Sequence, residues 1–200
     1  MQKHIKIIKT LLFLIGLTPL GWIVYDGFNN NLTADPIEEI LHRTGIWTLR
    51  ILLITLAMTP LKIITGSVLF IRIRRQLGLF TFFYASLHLT VYVWLDLGLD
   101  WEHFFEDVIE RPYLTVGMLA WIIMLPMAVT SNKIMIRKLG KKWKRLHQTI
   151  YLVIGLGCLH FIWLVKSDIT EPLIYTGIGL SLLIFRIAHY YHGKRIPNKG

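Results

Sequence analysis

The stretch RLHQTIYLVIGLGCLHFIWLVK, residues 145–166, is apolar enough to lie in lipid and yet carries two histidines, His147 and His160. Ionisable side chains inside a membrane span are costly, so each needs a partner or a function. Bounded by Arg145 and Lys166, the run reads as a helix long enough to cross a hydrocarbon core. Five more runs have the same character, at about 8–27, 45–64, 77–97, 113–130 and 171–190. With 147–165 they predict an all-α integral membrane protein, a six-transmembrane-helix bundle forming one domain over residues 1–200.

Composition points the same way, since 54% of the 200 residues are hydrophobic, and the mean hydropathy is +0.53. A net charge of +10 could serve nucleic acid, but basic residues scattered between long apolar runs are what span ends look like. No nucleic-acid partner is expected. The one cysteine, Cys158, excludes a disulfide within the chain, and no CxxCH stands in the sequence for covalent haem attachment. The N-terminal apolar run lacks a small-residue cleavage site and is expected to be a retained first span. Pro19, Pro60 and Pro126 fall within or near the ends of spans, where neighbouring helices can satisfy freed carbonyls.

Charge sets the expected orientation. The N-terminus (Lys3, Lys6, Lys9), the 62–75 and 131–145 loops, and the C-terminal end (Arg186, Lys194, Arg195, Lys199) are basic and free of acid. The acids lie in or beside the other three loops, as in DPIEE (35–39) and DWEHFFEDVIE (100–110). By the positive-inside rule both termini are cytoplasmic and the acidic loops face out. The basic stretch SNKIMIRKLGKKWKR (131–145) fits a solvated loop, a helix on anionic headgroups, or a docking surface.

Depth sorts the eight histidines. His4, His189 and His192 sit at basic span ends, and His103 lies in the acidic 96–110 loop. His42 precedes the expected second span, where it could cap the helix or line an outer-face site. His88 stands thirteen residues past Arg75 and eight before Asp96, and His160 six before Lys166, so both fall in the outer half at similar depth. His147 lies at the inner end, about 20 Å from His160 along a straight helix. Facing imidazoles on the third and fifth spans suit the two axial positions of a b-type haem, each ring's second nitrogen seeking a carbonyl or hydroxyl. The same pair could also hydrogen-bond across a helix interface without metal, or serve a proton relay or transport path. Zinc suits it less, because no second histidine lies within one turn of either. Thirteen residues is not a whole number of turns, so either the fifth helix is distorted, near Gly155 and Gly157, or His147 and His160 open in different directions.

The segments ADPIEEILHRTG (34–45), RIRRQLGL (72–79), LHLTVY (87–92), RPYLTVG (111–117), KLGKKWKRLHQTIYL (138–152), LHFIW around His160 and PLIYTG (172–177) together resemble the MsrQ (YedZ) family. These are haem-binding membrane subunits of the bacterial periplasmic methionine-sulfoxide reductase system, within the ferric-reductase-like transmembrane domains. The resemblance implies that His88 and His160 ligate an outer haem b and His147 an inner one. Where the wider family has a fourth histidine, fourteen residues before His88, stands Arg74. It could leave the inner haem five-coordinate, ligate it, pair with a propionate, or be a positive-inside charge without haem contact.

The chain closes at NKG with no GxGxxG, so no nucleotide domain is expected. Electrons would then come from the quinone pool or a cytosolic flavin reductase. The resemblance implies a periplasmic molybdopterin-containing MsrP-like reductase as acceptor, FMN as a further cofactor at an unassigned site, and the bacterial inner membrane as location. No catalytic constellation is evident, so an electron-transfer subunit is expected, its chemistry residing in cofactors. The acidic 96–110 loop is a candidate docking surface. The rival readings are a stand-alone transmembrane metal or quinone reductase, and a proton-coupled transporter using His88, His160 and Asp26.

Overall fold

A computed structural model describes residues 2–165 and 167–195, with side chains for 4–165 and 167–191. Lys166 and Lys199, and the side chains of Lys3, His192, Lys194 and Arg195, lie outside it. The helices are α1 (Gln2–Phe28), α2 (Pro36–Thr65), α3 (Leu69–Val91, continuing through a π-helical turn, Tyr92–Asp96), α4 (Trp101–Glu110), α5 (Pro112–Val129), α6 (Lys133–Leu139), α7 (Lys141–Gln148), α8 (Ile150–Leu164) and α9 (Thr170–Arg195). No strand occurs among the described residues.

Six stretches are long and apolar enough to cross a membrane, namely His4–Phe28, Pro36–Thr65, Leu69–Asp96, Pro112–Val129, Lys141–Leu164 and Thr170–Tyr191. The second and third begin well before the expected 45 and 77, because hydropathy stops at charge whereas helix does not. Asp35 caps α2 by accepting from the Glu38 N–H at 3.0 Å, Pro36 takes the first helical position, and Glu38 and Glu39 fill the first turn. His42 therefore lies nearly two turns inside α2, and the capping role expected of it belongs to Asp35. The basic 131–145 stretch is not an open loop but two short helices, α6 and α7, broken at Gly140, whose φ is +50°.

The distortion sought at Gly155 and Gly157 lies elsewhere. The Lys141–Leu164 stretch is interrupted at Thr149, between α7 and α8, two residues after His147. Gly155 and Gly157 are both inside regular α8.

α2 is the hub of the bundle. One of its faces contributes Leu49, Leu52, Leu53 and Leu56 to a core shared with Ala120 and Met124 of α5 and with Val153, Ile154, Cys158 and Phe161 of α8. Another places Ile51 and Met58 against Leu77, Phe80 and Tyr84 of α3. In lipid such contacts gain little from leaving the surroundings, so close packing and interhelical hydrogen bonds must hold the bundle.

Two prolines show how. Pro19 frees the Ile15 carbonyl, which accepts from Thr18 Oγ1 at 2.7 Å. One residue on, the fully buried Tyr84 of α3 enters the α1 ladder: its hydroxyl donates to Gly16 O at 2.8 Å and accepts from the Leu20 N–H at 3.2 Å. Gly16 is required there, since a Cβ would lie 2.6 Å from the Phe80 ring. Pro60 frees the Leu56 carbonyl, which accepts from Arg186 Nη2 of α9.

The acidic end is tied by ion pairs. Arg43 bridges Asp26 at 2.5 Å and Glu39 at 2.6 Å, joining the end of α1 to α2. Tyr92, in the π turn, donates to Asp107 of α4 at 2.6 Å, and Arg111 lies 3.0 Å from the same carboxylate. The expected acidic loop is thus largely the helix α4, capped by Asp100.

Tyr84→Phe is expected to weaken the seam between α1 and α3 by about 1–3 kcal/mol, the cost of leaving buried polar groups unmet. Thermal unfolding of the purified protein in detergent checks it, and an unchanged midpoint would show that α1 closes its own ladder.

Candidate functional site

His88 on α3 and His160 on α8 meet in the half of the bundle nearer the acidic end, their ring centroids 6.2 Å apart and their planes at 84°. Each ring is held through the same atom. His88 Nδ1 lies 2.9 Å from the carbonyl oxygen of Leu41 on α2, with Thr44 Oγ1 at 3.2 Å. His160 Nδ1 lies 2.6 Å from the carbonyl oxygen of Tyr113 on α5. A carbonyl can only accept, so in the neutral rings Nδ1 carries the proton and Nε2 is left with its lone pair. Among the described residues no hydrogen bond falls on either Nε2.

This is the tautomer a metal-binding imidazole needs, with a second-shell acceptor fixing the ring. A metal about 2 Å from each of two imidazole nitrogens places their ring centroids roughly 6 Å apart, close to the spacing found. No three His, Cys, Asp or Glu side chains converge among the described residues. The pair therefore offers two ligands, the number a four-nitrogen macrocycle leaves open on iron, and the residues fit a haem. The interhelical bonds do exist, but each runs from a ring Nδ1 to a backbone carbonyl or, for His88, also to the Thr44 hydroxyl, and none joins the two histidines.

Room for the rings comes from missing side chains. A Cβ on Gly117 of α5 would lie 2.8 Å from His160 Nδ1, and one on Gly45 of α2 would lie 3.2 Å from His88 Cε1. Sequence reasoning overlooked both glycines and both carbonyls. The available signal was that Gly45 closes ADPIEEILHRTG and Gly117 closes RPYLTVG, with Leu41 and Tyr113 inside the same segments.

His147 stands apart from this pair, at the basic end. Its ring stacks on Trp143 with centroids 3.8 Å apart. Its Nδ1 lies 3.1 Å from the Trp143 carbonyl and its Nε2 3.3 Å from Ser131 Oγ. Arg74 on α3 comes within electrostatic range of it, while donating from Nη1 to Thr59 Oγ1 of α2 at 3.1 Å. Arg186 and Tyr151, neither picked out as a site residue by sequence, also act electrostatically on Arg74. Of the predicted site residues, His88 joins His160, whereas Arg74 lies within electrostatic range of His147 and has its hydrogen bond to Thr59. Asp26 joins neither, its carboxylate being held by Arg43.

The family model for the ferric reductase like transmembrane component matches residues 44–158, more than half of the chain. A Xanthomonas campestris pv. campestris (strain B100) protein named protein-methionine-sulfoxide reductase heme-binding subunit MsrQ is 50% identical over 194 residues, covering 93% of this chain and 89% of its own. Proteins of the same name are 50% identical over 185 residues in Xanthomonas euvesicatoria pv. vesicatoria (90% and 85% covered) and 42% identical over 187 residues in Brucella anthropi (94% and 84% covered). No solved structure matches.

Gly117→Ala is expected to push the His160 ring out of position, and Gly45→Ala to disturb His88 less, in line with the Cβ distances above. The absorption spectrum of the purified variants tests this. Gly117→Ala should lose most of any Soret absorbance and Gly45→Ala a smaller part, and equal wild-type spectra would contradict the geometry.

Proposed function

The chain belongs to the ferric-reductase-like transmembrane proteins and, within them, to the MsrQ family of haem-binding subunits, and from that premise we propose that it is a membrane b-type cytochrome. It passes electrons to a methionine-sulfoxide reductase on the outer side of the bacterial inner membrane. The observation that carries this reading is the matched pair of Nδ1 anchors, which leaves Nε2 of His88 and of His160 without a hydrogen bond among the described residues, on rings whose centroids lie 6.2 Å apart. Bound there, haem iron supplies one-electron chemistry by moving between its ferric and ferrous states.

The chain's own residues hold and tune. The Leu41 and Tyr113 carbonyls fix the two rings and, by polarising each Nδ1–H, make Nε2 a stronger donor that favours the ferric state. Gly45 and Gly117 let α2 and α5 approach the rings closely. At the basic end, a second haem would take His147 as its imidazole ligand, with Arg74 beside a propionate.

Positive-inside charge puts both termini and the α6–α7 segment in the cytoplasm. The His88–His160 pair then lies toward the periplasm, near the acidic loops. Electrons enter from the quinone pool or a cytosolic flavin reductase and leave to a molybdopterin-containing MsrP-like partner, for which α4 and its acids offer a docking surface. FMN is the further cofactor implied by the family resemblance, and the basic cytoplasmic face would draw its phosphate. The protein needs no catalytic centre of its own and supports the partner's repair of oxidised periplasmic proteins. A transporter built on His88, His160 and Asp26 is disfavoured, because Arg43 neutralises Asp26 and both Nδ1 protons are committed. Electron transfer to the purified partner separates the subunit from a stand-alone reductase.

Reduced-minus-oxidised spectra of wild type beside His88→Ala, His160→Ala and His147→Ala test the assignment. His88→Ala and His160→Ala should each abolish the outer haem signal, whereas His147→Ala leaves it in place and removes any second one. Unchanged haem content in all three variants would overturn it.

A further inference from the structure

The arginines of the acidic half each face a carboxylate: Arg43 meets Asp26 and Glu39, Arg111 meets Asp107, and Arg50 lies 3.9 Å from Glu171. Deep in the basic half the pattern reverses. Arg186 of α9 donates from Nη1 to the Tyr151 hydroxyl at 2.7 Å and from Nη2 to the Leu56 carbonyl, both neutral. Its Nε is buried with no partner. Arg74 meets only the Thr59 hydroxyl, and the charge of Arg186 bears on it directly. Neither arginine forms an ion pair among the described residues. Two guanidiniums set near each other between helices repel one another, and a buried donor left unmet costs further stability. An anion held between them would meet both needs.

We propose that Arg74 and Arg186, with the Tyr151 hydroxyl beside them, form a binding site for an oxoanion, a carboxylate or phosphate group received between α2, α3, α8 and α9. Guanidinium forks suit both groups, because each can take two parallel N–H···O bonds. Three sources present this chemistry at the depth of Arg186, roughly 24 Å down α9 from its start at Thr170. They are a porphyrin propionate, a flavin phosphate, and the phosphate of a phospholipid lying between helices. The inference deepens the proposed function and rests on it where the source is a propionate or a flavin phosphate, but it concerns neither His88 nor His160.

The experiment compares the full-length protein with Arg186→Gln and Arg186→Lys after purification from membranes. Haem is measured as the pyridine haemochrome, flavin by fluorescence of the extract, and bound phospholipid by native mass spectrometry. Arg186→Gln should lower bound flavin or phospholipid roughly ten-fold, the scale of a lost charge-assisted hydrogen bond, or remove the haem in excess of the outer one, and Arg186→Lys should lose less. Which component falls names the source. The low-spin signature of the outer pair should persist, so failure here is distinct from failure of the haem assignment. Because Arg186 also satisfies the carbonyl freed by Pro60, Arg186→Gln could cost folding; the double variant Pro60→Ala/Arg186→Gln restores a backbone N–H to Leu56 and carries the same readout. Wild-type levels of all three components in a folded variant would overturn the inference.

Discussion

Everything at the candidate site depends on two hydrogen bonds, from the Nδ1–H of His88 to the Leu41 carbonyl and from the Nδ1–H of His160 to the Tyr113 carbonyl. A backbone carbonyl inside an α-helix normally belongs to the residue four positions on, and it has a second lone pair that a ring N–H can reach if the helix comes close. Gly45 and Gly117 make that approach sterically possible, because neither presents a Cβ to the ring. The consequence is chemical: both imidazoles are locked as one tautomer, with Nε2 free of hydrogen bonds among the described residues. α2 and α5 thus act as second-shell supports for ligands carried by α3 and α8.

The same economy of backbone groups runs through the bundle. With no water in the hydrocarbon, every carbonyl freed by a proline has to be met from within the protein. Thr18 meets the one freed by Pro19 from its own turn, and Arg186 meets the one freed by Pro60 from across the bundle. Tyr84 goes further and stands between Gly16 and Leu20 in a helix to which it does not belong. These polar contacts give specific register to helices whose apolar surfaces alone would slide, since lipid is as good a neighbour to leucine as another leucine is.

Charge is distributed unequally along the bundle. At the acidic end arginines and carboxylates neutralise each other and tie α1 to α2 and α3 to α4 and α5. At the basic end Arg74, Arg186 and His147 are met, among the described residues, by hydroxyls, an aromatic ring and carbonyls. At the acidic end Arg43, Arg50 and Arg111 each meet a carboxylate, whereas Arg74 and Arg186 meet none among the described residues. That contrast suits a protein proposed to meet a partner on one side and to take in electrons on the other.

The sequence by itself determined the six spans, the polarity of their ends and the pairing of His88 with His160, because each is written in a one-dimensional quantity: length of apolar run, sign of loop charge, and count of residues from a span end. It also placed Arg74 and His147 near one level. Other features were decided only by tertiary structure. Hydropathy could not find the start of α2, which an Asp35 cap and a proline carry beyond the apolar run, so of the two roles open to His42 the capping one falls to Asp35. The break at Thr149 escaped because a threonine in a basic-to-apolar transition carries no local signal, whereas Gly155 and Gly157 do and yet lie in regular helix. Arg186 read as a positive-inside charge; its contact with Leu56 and Tyr151 depends on how α9 is rotated against α2 and α8. Periodicity says that a helix has faces, and only packing says which neighbour each face meets, which is why the carbonyls that orient the histidines could not be read from the chain.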